Sequence, residues 1–229
     1  ALLGFIWGSS FILIKEGLKT FSPTQVASLR IIIAGIALSP FVLKFIKQMT
    51  SADWLPVAVV AVFGHGIPYF LFAFAQTQLG SAITGMLNSL VPLFTMLIGV
   101  LVFKTKVGRI KVYGVLLGLI GAILLIISSA NDTSGNYIYG VLVAIATVCY
   151  ALSVNTLKAR LTRFNPLATA SIPIAMTMIP LLFYVPIAEP ISFMELDKQG
   201  LVSLLAVATL AVVGTASAMI IFNRIIQLS

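Results

Sequence analysis

Charge is what this chain has least of: 9% of its 229 residues are Asp, Glu, Lys or Arg, against about 25% in an ordinary soluble domain. With 60% hydrophobic residues and a mean hydropathy of +1.12, that shortage excludes a water-exposed globular surface and places the chain in a bilayer. Acids are scarcest, 6 against 14 Lys and Arg, and each lies at a loop or helix end, which leaves no mid-membrane carboxylate of the kind that proton-driven carriers use. The single cysteine, Cys149, excludes an intramolecular disulfide. There is one histidine and no HExxH spacing, no phosphate-cradling glycine loop, and no nucleophile beside an evident base. No reaction can be assembled from these residues. The reading is therefore of a protein that is not an enzyme, with no cofactor, no catalytic residue and no metal site.

Long apolar runs are abundant. A bilayer core about 30 Å thick needs about 20 residues of helix, and runs of that length fall at about residues 1–18, 23–43, 54–76, 81–103, 108–129, 137–157, 166–187 and 200–222. Ala1 already lies inside an apolar run, with no basic stretch before it and no cleavage site after it, so the chain reads as starting mid-protein rather than with a signal peptide.

Positive charge sorts to one side of these spans. Lys44, Lys47, Lys104, Lys106, Arg109, Lys111, Lys158, Arg160, Arg163 and Arg224 share one face, while Lys15, Lys19 and Lys198 lie opposite and Arg30 falls within a span. Positive loops stay cytoplasmic, so the N-terminus is cytoplasmic and the protein is a multi-pass protein of the inner (plasma) membrane. Acids sort the other way: Glu16, Asp132, Glu189, Glu195 and Asp197 outside, Asp53 inside. The basic balance is thus orientation, not a nucleic-acid interface. Asn131-Asp132-Thr133 matches a glycosylation sequon, a pattern common by chance.

The chain also repeats itself. Phe21-Ser22-Pro23 returns as Phe164-Asn165-Pro166, and the echo extends without a gap through Ser10/Ser153, Lys15/Lys158, Leu18/Leu161, Ala27/Ala170 and Ser28/Ser171. Ser22-Pro23 and Asn165-Pro166 both read as a capping side chain followed by proline at the first helical position. Five spans precede the second copy, and an odd number of crossings turns the copies upside down relative to each other. Residues 1–129 form the first repeat, helices one to five; residues 137–229 form the second, helices six to eight. Gln78-Leu79 aligns with Gln227-Leu228 at the exit of each third helix, so the expectation is eight membrane helices of a parent ten.

Trp7-Gly8-Ser9-Ser10-Phe11, Pro23, Arg30, Asn88-Ser89-Leu90-Val91-Pro92-Leu93 and the fifth-helix glycines Gly114, Gly118 and Gly121 together resemble the EamA family of the drug/metabolite transporter superfamily. The resemblance covers essentially the whole chain. Lys104 departs from it, standing where the family often carries glutamate. The resemblance implies an all-α bundle of two inverted five-helix units around a central cavity between helices one, three and four and their counterparts. It also implies a permease for small metabolites, amino acids among them, often outward.

Candidate site residues follow from spacing. His65, Tyr69, Phe72 and Gln76 recur as one stripe of helix three, and an ionisable group at membrane depth points to the bundle interior; the alternative is a neutral histidine bonded to a neighbouring helix. Ser81, Thr84, Asn88 and Thr95 share a face of helix four, where Pro92 leaves the Asn88 carbonyl without its usual amide. Trp7 and Ser10 pair with their repeat partners Tyr150 and Ser153 as two related walls facing one another; packing is the alternative. Asn155 and Thr147 are weaker candidates. Arg30 reads as a side chain that snorkels to the outer headgroups, or turns inward to Glu16, with direct contact to substrate as the alternative; with Pro92 it is assigned a gating or structural role. Gly4/Gly8 and Gly114/Gly118 read as close helix crossings.

The sequence thus predicts substrate-binding residues Trp7, Ser10, His65, Tyr69, Asn88, Tyr150 and Ser153 in a permease with a small-molecule substrate and the lipid bilayer as partners. It predicts no nucleic acid, and a homodimer is compatible with it. A channel-like facilitator is the second reading, and a non-transporting membrane protein the third.

Overall fold

The computed structural model describes residues 2–129, 137–192 and 196–228, and every regular element among them is helical. In chain order these are α1 (Leu2–Gly17), α2 (Pro23–Phe45), α3 (Trp54–Ala61), α4 (Ile67–Gln78), α5 (Ser81–Asn88), α6 (Val91–Leu101), α7 (Arg109–Ser129), α8 (Tyr137–Thr156), α9 (Pro166–Ala188), α10 (Lys198–Ala211) and α11 (Ala218–Leu228). The sequon at Asn131 and the acids Asp132 and Glu195 lie outside the described residues.

Capping residues set the helix starts. Ser22 accepts a hydrogen bond from the Gln25 amide, and the Gln25 side chain accepts one from the Ser22 amide, a reciprocal box that satisfies donors a helix start leaves orphaned. Asn165 accepts from the Leu167 amide, with Pro166 following where no amide is needed. Asp197 does the same for Gly200 at 2.7 Å. Proline also sits inside α2 at Pro40 and inside α9 at Pro173, Pro180 and Pro186, which membrane helices tolerate because neighbours re-satisfy the freed carbonyls.

Two kinds of interruption break the rods. Wider π-helical turns run over Val62–Gly66, Leu157–Leu161 and Val212–Ser217, the first joining α3 to α4 and the last joining α10 to α11. The second kind is the break at Ser89 and Leu90, where Pro92 starts α6 afresh. Six rods among the described residues are long and apolar enough to cross a bilayer: Pro23–Gln48, Ser51–Gln78, Ser81–Leu101, Ile138–Leu161, Pro166–Ala188 and Lys198–Leu228. Eight were expected. The 16 residues of α1 reach about 24 Å at 1.5 Å per residue, short of a 30 Å core. α7 runs 21 residues, Arg109–Ser129, about 31 Å at 1.5 Å per residue.

The main packing pairs are α2 with α9, α4 with α8, α6 with α8, and α1 with α10. Small residues make the close approaches, as expected where lipid removes any hydrophobic drive between helices. A Cβ on Gly214 would lie 2.8 Å from the Ser10 hydroxyl, one on Gly64 would strike the Ser153 hydroxyl, and one on Gly17 would lie 2.7 Å from Val207. The expected crossings at Gly4/Gly8 and Gly114/Gly118 are not among them: no described residue lies within 4 Å of a Cβ placed at any of the four. A GxxxG spacing flattens one helix face; it does not supply the neighbour.

Side-chain bonds tie each end of the bundle. At one end Asp53, capped by the Thr50 amide at 2.8 Å, pairs with Arg163. At the other, Glu16 pairs with Lys19 at 2.6 Å and accepts from Gln199 at 2.9 Å, while Ser22 donates to Glu189 at 2.9 Å. The Lys15 ammonium donates to the Gln76 carbonyl at 2.7 Å, capping the C-terminal turn of α4.

Candidate functional site

The polar residues of the interior gather where three rods meet. His65 lies on the π turn Val62–Gly66 near the middle of the rod Ser51–Gln78, about 20 Å from either end at 1.5 Å per residue. The stripe predicted from spacing is buried along its length, at 3% exposure for His65, 2% for Tyr69, 2% for Phe72 and 0% for Gln76. His65 Nδ1 and the Tyr69 hydroxyl lie 3.1 Å apart. Phe72 packs on Phe11 at 5.5 Å between centroids and stacks on Tyr150 at 5.7 Å. Gln76 donates to the Phe11 carbonyl at 2.8 Å and to Ser81 at 3.3 Å, while its Oε1 is enclosed without a partner.

Arg30 departs from its expected place. It neither reaches the headgroups nor turns to Glu16, which is held by Lys19. It is buried at 6% exposure, its Nε donates to Thr215 Oγ1 at 2.8 Å, and its guanidinium lies 3.7 Å from the Tyr69 ring centre. Thr215 can accept because its own hydroxyl proton goes to the Leu210 carbonyl at 3.2 Å, five residues back across the π turn. The physical reason for the correction is that a hydroxyl and an aromatic face hold the guanidinium inward, and snorkelling would leave both unused. Sequence reasoning missed Thr215, although the offset that aligns Gln78 with Gln227 sets it against Gly66, next to His65.

The other predicted residues fall in three places. Ser10 and Ser153 sit at helix crossings, Ser10 against Gly214 and Ser153 against Gly64, with the Ser10 hydroxyl turned back to the Ile6 carbonyl at 2.8 Å. The two serines therefore do not face each other: Ser10 seats against the π turn Val212–Ser217 and Ser153 against the π turn Val62–Gly66. Trp7 packs edge-on against Phe222 at 5.1 Å. Asn88 closes α5 beside the break, with Oδ1 enclosed and unpartnered, and Pro92, exposed, has no amide to offer its carbonyl. Of the remaining helix-four face, Ser81 donates to the Phe11 carbonyl at 3.0 Å, and Thr84 and Thr95 bond carbonyls of their own helices. Asn155 ties α8 to α6 through the Thr95 carbonyl at 2.9 Å, and Thr147 bonds the Ala144 carbonyl.

Apolar rods of membrane length, closed around a buried histidine, arginine and threonine, define a multi-pass membrane protein with a polar interior. The chain belongs to the EamA-like transporter family, which matches residues 1–127. It is 25% identical over 187 residues to an uncharacterized transporter of Archaeoglobus fulgidus, covering 81% of this chain and 66% of that protein. It is 30% identical to the uncharacterized inner membrane transporter YedA of Escherichia coli K12, covering 65% of this chain and 48% of YedA. A probable amino-acid metabolite efflux pump of Salmonella typhimurium is 29% identical over 57% of this chain and 42% of its own length. The chain thus spans between about two-fifths and two-thirds of these relatives. One solved crystal structure superposes on 99% of this chain and 78% of its own, with a TM-score of 0.70 at 19% identity, which speaks for the fold alone.

Proposed function

We propose that the protein is an inner-membrane permease exporting a small metabolite, with amino acids or related compounds as the substrate class. In this reading two inverted repeats, residues 1–129 and 137–229, rock about a midplane site. The observation that carries the reading is the polar cluster of His65, Tyr69, Arg30 and Thr215, which joins the two copies near the middle of the membrane rods. The reciprocal crossings support the inversion. The first helix of each copy meets the third rod of the other, α1 on α10 and α8 on α4, with a serine facing a glycine of the adjoining π turn in each case.

His65, Tyr69 and Tyr150 are assigned to the solute, with Asn88 at the broken helix as a further polar contact. Trp7 closes the cytoplasmic approach, and Ser10 and Ser153 are sliding contacts at its edge. Pro92 keeps the break open, and Arg30 anchors the copies to each other. The efflux-pump name of the Salmonella relative supports outward movement, the name of YedA supports the inner membrane, and the ten basic residues on one face support a cytoplasmic N-terminus.

The test is efflux of preloaded amino acids from vesicles carrying the full-length transporter. His65→Ala and Tyr69→Ala are expected to abolish flux with expression and folding intact. Undiminished flux in both variants would remove the site assignment.

A further inference from the structure

Two charged side chains besides histidine are buried among the described residues, and they are treated differently by the fold. Asp53 is paired with Arg163, whereas Arg30 enters no ion pair. An unpaired guanidinium at this depth is costly, and the described residues leave a positive charge without a counter-charge.

What remains free on Arg30 defines what can neutralise it. Nε is taken by Thr215 and one face of the group by the Tyr69 ring. The edge formed by Nη1 and Nη2 meets no protein acceptor among the described residues, yet it is not sealed off, since the side chain keeps 6% exposure and neither nitrogen is fully enclosed. Two parallel N–H groups in one plane match the two oxygens of a carboxylate. The guanidinium carries one positive charge, which a monoanion balances where a phosphate dianion would leave excess negative charge.

We infer that the solute carries a carboxylate and that Arg30 grips it end-on. Thr215 acts as a positioning residue that fixes the aim of the fork, and the ring stack of Phe72 and Tyr150 provides an apolar wall for the remainder of the solute. This rests on the permease reading and deepens it, because Arg30 becomes the residue that separates acids from their neutral analogues.

The experiment compares acids with their amides. Purified full-length transporter is titrated with butyrate, benzoate and L-leucine, with butyramide, benzamide and L-leucinamide, and with inorganic phosphate, and the thermal midpoint gives an apparent Kd for each. At least one carboxylate is expected to raise the midpoint where its amide does not. Arg30→Gln should abolish that difference, and Arg30→Lys, which keeps the charge and loses the fork, should weaken the carboxylate by about tenfold. Thr215→Val should weaken the carboxylate while leaving the amides unchanged, and it carries the test together with Arg30→Lys if Arg30→Gln does not fold. Equal stabilisation by acid and amide, no stabilisation by any carboxylate, stabilisation by phosphate alone, or unchanged carboxylate Kd in both Arg30→Lys and Thr215→Val would each overturn the inference. Vesicle flux separates the two claims. Flux that ignores the acid–amide difference removes the Arg30 inference and leaves the permease; acid-selective binding without flux removes the permease and leaves the site.

Discussion

Gly214→Ala tests whether the crossing of α1 on the π turn of the last rod is as tight as its geometry. The added methyl would lie 2.8 Å from Ser10 Oγ and 3.2 Å from Leu210 Cδ1. Ordinary contact begins near 3.4 Å, so both neighbours must give. The Ser10 hydroxyl is held on the Ile6 carbonyl, and overpacking of this kind costs about 1–3 kcal/mol. At about 2–4 °C per kcal/mol for a chain of this size, the midpoint of thermal unfolding in detergent should fall by roughly 2–12 °C. Ser10→Ala in the same chain removes the oxygen and leaves its Cβ 3.9 Å from the new methyl, while Leu210 Cδ1, the free end of a flexible side chain, stays 3.2 Å away and must still turn aside, so the double variant should recover most of the loss. The mirrored pair behaves differently in a way that sharpens the test. Ser153→Ala should rescue Gly64→Ala only in part, because the Ser153 Cβ itself lies 3.3 Å from the added methyl. A Gly214→Ala protein as stable as the parent, or one that Ser10→Ala fails to restore, would refute the reasoning.

Asn155→Ala removes the bond to the Thr95 carbonyl and should cost about 0.6–1.7 kcal/mol, the range for hydrogen bonds between membrane helices; the change in unfolding free energy in detergent reads it. Gly99→Ala should destabilise by about 1–3 kcal/mol, since its Cβ would meet Thr105 Oγ1 at 2.8 Å and Asn155 Oδ1 at 2.9 Å. Gly114→Ala, with nothing within 4 Å, should stay within about 0.5 kcal/mol, and equal unfolding midpoints for these two variants would contradict the packing. Single cysteines at Thr105 and Arg160 should react with an impermeant thiol reagent from the same side of the membrane, and one at Thr20 from the other; labelling of the first two from opposite sides would exclude the inverted arrangement.

Legibility in the sequence followed the range of each interaction. The caps at Ser22 and Asn165 were readable because both partners lie within three residues. The buried stripe from His65 to Gln76 was readable because lipid penalises polar groups on an outward face, so spacing alone fixes its direction. Arg30 was not, since its depth in α2 is local information while Thr215 and Tyr69 come from distant rods. The glycine pairs failed for the same reason in reverse: Gly114 and Gly118 share a face, but the residues that would press on it are a tertiary fact. The π turns carry no compositional mark, and they moved Ser10 and Ser153 from opposed walls to crossings on Gly214 and Gly64.

In a regular α-helix the Leu210 carbonyl would receive the amide of residue 214; in the wider turn it is also free to take the Thr215 hydroxyl proton. Rewinding that one turn to normal pitch would pass the Thr215 hydroxyl proton to a carbonyl three or four residues back and change the aim of its oxygen toward Arg30. Helical pitch at the centre of the last rod and the aim of a side chain on α2 are thus geared together, so a solute that clamps the guanidinium would also lock the winding of a helix it never touches.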